Sequence, residues 1–308
     1  MEEFRKNLGD KIQMLRKNSF LSQKKLGEGI CTQAFISQIE QGKIAVSAEV
    51  LYQLSIKLGV DTNYFFEQTD SQRNDYIEEV ITLSRRYIHR REYNKLAELI
   101  KTEENSPLLK QQKYRQFICW NKSIIYLHVE KDPHAALSLI DEALEMKETS
   151  SNTYSLREIE ILITKGNILI ELNEIKQAIT IFETAKMYIH SSIPLSSPSV
   201  YIRLFFNLSR AYYSDEQYEE SLQTSSQGVS YCKQQKSTYG LGELFYQQAM
   251  CLEKLNEFSQ AAEKYLMSKL IFKLNGDNHL SVTAEQSYND LLLNNEELDE
   301  EHDIFRLL

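Results

Sequence analysis

The 308-residue chain contains few of the residues that build turns and crosslinks, with 10 glycines, 4 prolines and 4 cysteines. Because a β-rich protein needs many glycine- and proline-containing turns, this scarcity predicts an all-α fold. The cysteines lack CxxC spacing and a histidine at metal-ligand spacing, which predicts buried thiols in a reducing compartment and no metal site. No apolar run approaches the ~20 residues of a membrane helix, and the charged N-terminus lacks an apolar signal segment. We therefore expect a cytoplasmic protein that does not contact a membrane.

The chain also lacks an even distribution of charge. Its formal net charge is −9, yet residues 1–66 hold nine lysines and arginines against seven acids, a net +2 that leaves −11 for the remainder. Since a phosphate backbone attracts cations, only the N-terminal part is suited to lie against nucleic acid. An apolar content of 42% is sufficient for a hydrophobic core, and the length suits two domains.

Helical spacing and capping residues divide the N-terminal part into short helices. A first amphipathic helix over residues 4–17 is predicted by four apolar residues, Phe4, Leu8, Ile12 and Leu15. Three hydroxyl residues that can accept hydrogen bonds from helix N–H groups precede further apolar segments: Ser22, Thr32 and Ser47. A glycine-containing turn over residues 28–31 separates the second and third helices. This arrangement predicts a helix-turn-helix.

Residues 21–60, LSQKKLGEGICTQAFISQIEQGKIAVSAEVLYQLSIKLGV, resemble the lambda-repressor-like (Cro/XRE) helix-turn-helix family. The similarity extends over almost all of residues 5–66 and includes the Ser-Gln and Thr-Gln starts of the second and third helices. It implies a DNA-binding domain over residues 1–66 whose third helix reads double-stranded DNA.

The resemblance also implies roles for individual residues. Base-edge contacts are implied for four residues on the outward face of the third helix: Gln33, Ala34, Ser37 and Gln38. Contacts to the DNA backbone are implied for four residues around it: Gln23, Asn18, Lys24 and Lys43. Arg16 and Glu40 match a structural ion pair between the first and third helices. The alternative for the glutamines is an ordinary solvated helix surface.

The rest of the chain contains a repeat. Three segments that start at Gly166, Ser209 and Ala249 share a small residue, a large residue three positions later and a second small residue after twelve. Small residues let two helices approach closely, and large ones fill the groove between them. With two weaker copies upstream, the pattern resembles degenerate tetratricopeptide repeats. It predicts a right-handed α-solenoid of about five helix pairs over residues 76–308, preceded by a linker helix over residues 67–75.

Polar residues recur on one stripe of the first helix of these repeats, which would line the inner face of a solenoid. The third, fourth and fifth pairs contribute seven candidate peptide-contacting residues: Thr164 and Asn167; Arg203, Asn207 and Arg210; Glu243 and Gln247. Asn207 and Gln247 are 40 positions apart, and their amides can donate to and accept from a peptide backbone. The alternative is that all seven are ordinary solvated helix residues.

A Cro/XRE domain followed by such a solenoid resembles the peptide-pheromone-responsive regulators of Gram-positive bacteria, and most closely their PlcR type. The segments from Arg203 to Ser221 and from Phe245 to Leu255 carry this resemblance. It implies a homodimer on a palindromic operator, and a short signalling peptide that binds the solenoid and changes DNA binding. It also places a basic segment in the peptide site, from which we single out Arg91.

Two other classes of function are open from the residues alone. In the first, the solenoid docks a protein partner and no peptide pheromone is involved. The second is an enzyme, for which the sequence offers no nucleophile elbow, phosphate-binding glycine loop or metal motif. We therefore expect no catalytic residue and no cofactor.

Overall fold

A computed structural model describes residues 2–66, 71–146, 154–189 and 198–295, and these residues form helices and connecting turns without a strand. The chain divides into two compact units, Met1–Arg86 and Tyr87–Leu308. The predicted all-α class is confirmed. Residues 67–70 of the predicted linker helix lie outside the described residues. Within the described residues, no helix combines the length and the apolar character needed to cross a bilayer.

The first unit consists of short helices connected by capped turns. Its helices are α1 (Glu2–Asn18), α2 (Gln23–Gly27), α3 (Gln33–Glu40) and α4 (Ala48–Leu58), followed by a 3-10 turn (Thr62–Phe65) and most of α5 (Ser71–His89). The predicted caps are confirmed, because the side chains of Ser22, Thr32 and Ser47 accept hydrogen bonds from the third residue that follows each of them.

A small apolar core holds α1 to α4 together. Ile12, Leu26, Ile36 and Leu54 are fully buried there, and they come from four different helices. Gly29, in the turn between α2 and α3, has a φ of 80°, a conformation that side chains with a Cβ rarely adopt. The turn therefore fixes the angle between the two helices, as the predicted helix-turn-helix requires.

The second unit is a series of helical hairpins. After the end of α5 it contains α6 (Tyr93–Glu103), α7 (Gln112–Ile125), α8 (Pro133–Glu145), α9 (Leu156–Glu171), α10 (Ile175–Ile189), α11 (Pro198–Ser214), α12 (Tyr218–Gln235), α13 (Leu241–Lys254), α14 (Phe258–Asn275) and α15 (Asn278–Leu293). A π-helical turn, Tyr126–Glu130, continues α7. From α7 onward each helix contacts the next along the chain, and α11 also contacts α9 and α13.

The turns inside the hairpins reveal the repeat more clearly than the side-chain pattern does. A non-glycine residue with a φ of 57–62° ends the first helix of each pair, at Arg91, Lys131, Asn173, Glu216 and Asn256. In most of these turns the next N–H donates to a carbonyl five residues back, as Glu92 does to Tyr87, which satisfies the end of the helix. The spacing of these turns, 40 to 43 residues, extends the repeat to the two weaker copies and confirms about five pairs.

The repeat domain is predicted to begin at residue 76, a position that lies within α5 (Ser71–His89), and the two compact units meet further along the same helix, between Arg86 and Tyr87. The connection between the fourth and fifth pairs was expected over residues 233–242, but α12 continues to Gln235 and α13 begins at Leu241. The helices on both sides of this connection are therefore longer than expected.

Replacing Gly166 with alanine tests the close packing inside a hairpin. A Cβ at Gly166 would overlap the Phe182 ring, so Gly166→Ala should lower the free energy of unfolding by about 1–3 kcal/mol. In a Phe182→Leu background the same change should cost less, because the smaller side chain leaves room. Chemical denaturation of the wild type, the two single variants and the double variant measures how far the two free-energy changes depend on each other. Additive changes would contradict a contact between Gly166 and Phe182.

Candidate functional sites

The third helix presents a polar face to solvent. Its apolar residues Ile36 and Ile39 are buried in the core of the first unit, whereas Gln33, Ala34 and Gln38 are exposed. Ser37 is half-buried, and its hydroxyl accepts a hydrogen bond from Gln41. The four residues expected to contact bases therefore lie on the side of α3 opposite to the core.

The predicted ion pair between Arg16 and Glu40 is present and is the centre of a larger network. The Arg16 guanidinium donates to both carboxylate oxygens of Glu40, at 2.6 and 3.0 Å. Gln23 donates to the same carboxylate at 2.9 Å, and Gln33 donates to the Gln23 carbonyl oxygen at 2.7 Å. A continuous chain of hydrogen bonds thus joins α1 to the exposed end of α3. The spacing of these residues in the sequence gives no sign of the link between Gln23 and Gln33.

The network keeps Glu40 ionised although its side chain is 1% exposed. Burial opposes ionisation, but hydrogen bonds from Arg16 and Gln23, the Arg16 charge and a hydrogen bond from Gln13 together lower the pKa of the Glu40 carboxyl below 4.5. A carboxylate held in this way is stabilising only while its partners remain in place. The face of α3 is therefore oriented by a buried charge.

The three other residues expected at the DNA backbone, Asn18, Lys24 and Lys43, are exposed. Lys43 lies three residues after the end of α3, where its N–H donates to the carbonyl of Gln38. Its charge is thus placed at the C-terminal end of the exposed face.

In the second unit, Asn207 and Gln247 occupy equivalent positions on α11 and α13. Both are buried, at 7% and 4% exposure. The Gln247 amide lies 3.4 Å from the Ser221 hydroxyl of α12, so the structure gives this side chain a protein partner. Asn207 and Gln247 remain predictions as peptide contacts.

One of the candidates on α9, Thr164, belongs to a hydrogen-bonded chain across the first helices. Trp120 of α7 donates to the Thr164 hydroxyl at 2.9 Å, and Thr164 donates to the backbone carbonyl of Glu160. The Glu160 carboxylate, 4% exposed in its side chain, accepts from Arg203 of α11 at 2.8 Å. Trp120 and Glu160 were not predicted, since a tryptophan and an acid in apolar stretches look like core and surface residues.

Two polar atoms of this region are buried without a hydrogen-bond partner among the described residues: Asn167 Oδ1 and Arg203 Nε. Such atoms carry an uncompensated cost of desolvation, which a bound group with a matching donor or acceptor removes. The acceptor on α9 can bind an N–H group of a peptide backbone, and the donor on α11 can bind a C=O group.

Charged residues converge from distant parts of the sequence on the same region. Burial lowers the pKa of Arg210, with an attraction from Glu171 and a repulsion from Arg91. Burial raises the pKa of Glu243. A backbone hydrogen bond and the charges of Arg91 and His89 lower this pKa, and the charge of Asp277 raises it. The His89 ring stacks on Tyr239 with centroids 5.3 Å apart. Arg91, which is exposed, therefore lies within electrostatic range of both predicted residues.

Comparison with known families identifies the two units. Residues 12–65 match a helix-turn-helix family, and residues 78–305 match the RNPP family C-terminal domain. The chain belongs to the RNPP family. A search of curated protein sequences gives no match.

Solved structures extend this assignment. PlcR of Bacillus thuringiensis, in complex with the peptide PapR7 and DNA, is 25% identical to this RNPP protein with a TM-score of 0.68, over 93% of this chain and 99% of that chain. The SHP pheromone receptor Rgg2 of Streptococcus dysgalactiae is 14% identical with a TM-score of 0.59, over 92% and 99%. TPR-like repeats of a Podospora anserina kinesin light chain are 12% identical with a TM-score of 0.50, over 66% and 97%. The second unit is therefore a solenoid of tetratricopeptide type, as predicted.

Replacing Glu40 tests the network beneath α3. Because the folded protein lowers the pKa of this carboxyl, the ionised group contributes stability above its unfolded pKa and loses it as pH falls through the folded value. Glu40→Gln should lower the stability of the first unit by about 3 kcal/mol at neutral pH, and should weaken its loss of stability below pH 4.5.

Hydrogen exchange of α1 and α3 in the full-length protein measures both effects. The matched control is Glu28→Gln, since Glu28 forms an exposed ion pair with Lys25 and its loss should leave exchange unchanged. Equal exchange in the two variants would contradict a structural role for Glu40.

Proposed function

We propose that the protein is a cytoplasmic transcription regulator that binds a palindromic operator as a homodimer and responds to a short signalling peptide bound by its solenoid. The observation that carries this proposal is the combination of an exposed, glutamine-bearing third helix with an RNPP C-terminal domain in one chain. The similarity to PlcR, whose structure contains a peptide and DNA, supports both partners.

The exposed face of α3 has the chemistry that reads base pairs in the major groove. The amide of Gln33 or Gln38 donates and accepts at once, which matches the edge of adenine. Lys24 and Lys43 supply positive charge for the phosphates on either side. Gln23 accepts from Gln33 and so fixes the Gln33 amide before DNA arrives, which reduces the entropy that binding removes.

A single domain of this size has a small interface with DNA, and specific affinity requires two half-sites. We propose a two-fold symmetric homodimer for this reason. The peptide alters regulation by favouring one placement of the two DNA-binding units, because a ligand with equal affinity for both placements would change nothing.

The peptide binds along the first helices of the third, fourth and fifth pairs. Asn167, Asn207 and Gln247 offer amides along these helices, and Arg203 offers a buried N–H that has no partner in the part of the chain that the structure describes. Polar groups of this kind suit an extended backbone, whose N–H and C=O groups alternate.

A second candidate is a regulator whose solenoid docks a protein. The buried polar atoms Asn167 Oδ1 and Arg203 Nε, which have no hydrogen bond within the described residues, favour the peptide, because a peptide backbone supplies the N–H and C=O groups that they need. In either case the protein acts as a regulator, and we assign it no catalysis.

Substitutions in α3 test DNA recognition. An operator selected from random DNA should bind Gln38→Ala about tenfold or more weakly, with relaxed base preference. Lys43→Ala should weaken binding to all sequences alike and should reduce the slope of log affinity against log salt by about one. Gel-shift titrations measure both, with Lys101→Ala, an exposed residue of α6, as control. Wild-type affinity and base preference in Gln38→Ala would contradict the assignment.

Asn207→Ala tests the peptide response. A peptide captured by the full-length protein from a pooled synthetic library should change the operator affinity of the wild type. The variant should lose this change while its DNA binding without peptide stays the same. Gln227→Ala, on the exposed side of α12, should respond as the wild type does. An unaltered response in Asn207→Ala would remove this residue from the site, and no response in the wild type would exclude the peptide.

A further inference from the structure

The first helices of the fourth and fifth pairs carry two charges of opposite sign that have no ion-pair partner within the described residues: Arg210 of α11 and Glu243 of α13. A neighbouring charge on the same face shows the contrast, since Arg203 forms an ion pair with Glu160 at 2.8 Å. The Arg210 guanidinium lies over the Phe206 ring at 5.6 Å, a contact that holds the charge without neutralising it.

Both groups are accessible to solvent and yet are surrounded by protein. Arg210 is exposed and Glu243 is half-buried, while desolvation is the main influence on the pKa of each group. A charge that is only partly hydrated interacts with an opposite charge on a ligand more strongly than a fully hydrated charge does.

Neighbouring charges do not compensate the two groups. The charge of Arg210 is attracted by Glu171 and repelled by Arg91. For Glu243, a backbone hydrogen bond in the first turn of α13 favours the ionised carboxylate, the like charge of Asp277 opposes it, and the charges of Arg91 and His89 favour it. Each of the two therefore faces charges of both signs, and none of these neighbours lies within ion-pair distance in the part of the chain that the structure describes.

The positions of the two groups define a direction. The helices α11 and α13 run parallel, because each is antiparallel to α12: Gly228 lies near both Phe205 and Leu244, and Ser221 lies near both Ser209 and Cys251. Glu243 is thus level with Arg203, seven residues before Arg210. Seven residues of helix rise about 10 Å, and neighbouring helices lie about 10 Å apart. The charges are separated by about 14 Å, which four or five extended residues span.

We propose that the solenoid takes a short peptide in one orientation, with a carboxylate of the peptide bound by Arg210 and an ammonium group bound by Glu243. This inference rests on the proposed function and adds the charge pattern and the direction of its ligand. Asn207 and Gln247 lie between the two charged positions along the same face, where the backbone of such a peptide passes. The charged groups belong either to the peptide termini or to its side chains.

The test uses a pooled library of random six-residue peptides with free termini, passed over the immobilised full-length protein. The strongest binder, identified by mass spectrometry, is resynthesised with each carboxylate or ammonium group neutralised in turn, including the C-terminal amide and the N-acetyl form. Binding is measured to the wild type, Arg210→Gln and Glu243→Gln. The matched controls are Arg115→Gln and Glu98→Gln, which alter exposed charges on α7 and α6.

Each site variant should bind the unmodified peptide about tenfold or more weakly, and the controls should bind it normally. Neutralising one carboxylate should weaken binding to the wild type without further effect on Arg210→Gln, which identifies that carboxylate as the partner. Neutralising one ammonium group should do the same for Glu243→Gln. Arg210→Lys, which keeps the charge, should retain most of the affinity and separates loss of charge from misfolding.

Two results would overturn the inference and leave the proposed function intact. In the first, a peptide is captured but neutralising its groups affects the wild type and the variants equally. In the second, the carboxylate couples to Glu243 and the ammonium group to Arg210, which reverses the orientation. Capture of no peptide by the wild type would overturn both the inference and the proposed peptide function.

Discussion

Close contact between small and large residues at the crossing of paired helices is the constraint on which the second unit depends. Gly166 lies against the ring of Phe182, and Ser209 exchanges hydrogen bonds with Ser221 across the next hairpin. At these points the backbones approach so closely that a larger side chain would have to displace a helix. Each hairpin buries its apolar surface only against its neighbours, so the position of every helix is set by local contacts. This packing therefore determines the relative positions of Arg203, Arg210 and Glu243 on their shared face.

Much of the fold follows from local sequence signals. Ser22, Thr32 and Ser47 mark helix starts because a hydroxyl satisfies N–H groups that a helix leaves free, and this chemistry requires only neighbouring residues. The repeat is visible where small residues recur, at Gly166, Ser209 and Ala249. It is faint in the first two pairs, where the equivalent turns at Arg91 and Lys131 adopt a left-handed conformation that neither residue signals.

The candidate sites were predicted less completely, and the reason is distance along the chain. The pair of Arg16 and Glu40 was expected from family resemblance, but the participation of Gln23 and Gln33 depends on rotamers that sequence spacing does not determine. Glu160 and Trp120 were missed because their polar partners lie 43 and 44 residues away. Long-range pairs of this kind arise only when the hairpins stack, so a periodic pattern indicates the face but not which polar groups neutralise one another.

The residues that end the first helix of each hairpin can differ in charge while the backbone conformation stays the same. Arg91, Asn173 and Glu216 share one backbone conformation although their side chains are cationic, neutral and anionic. The hydrogen bonds that stabilise each turn come from the main chain, so the identity of the side chain has little influence on the stack. Every hairpin therefore offers a position at which charge can be exchanged by mutation while the scaffold is preserved. Related chains can in this way differ in charge at the ends of their hairpins without rebuilding their cores.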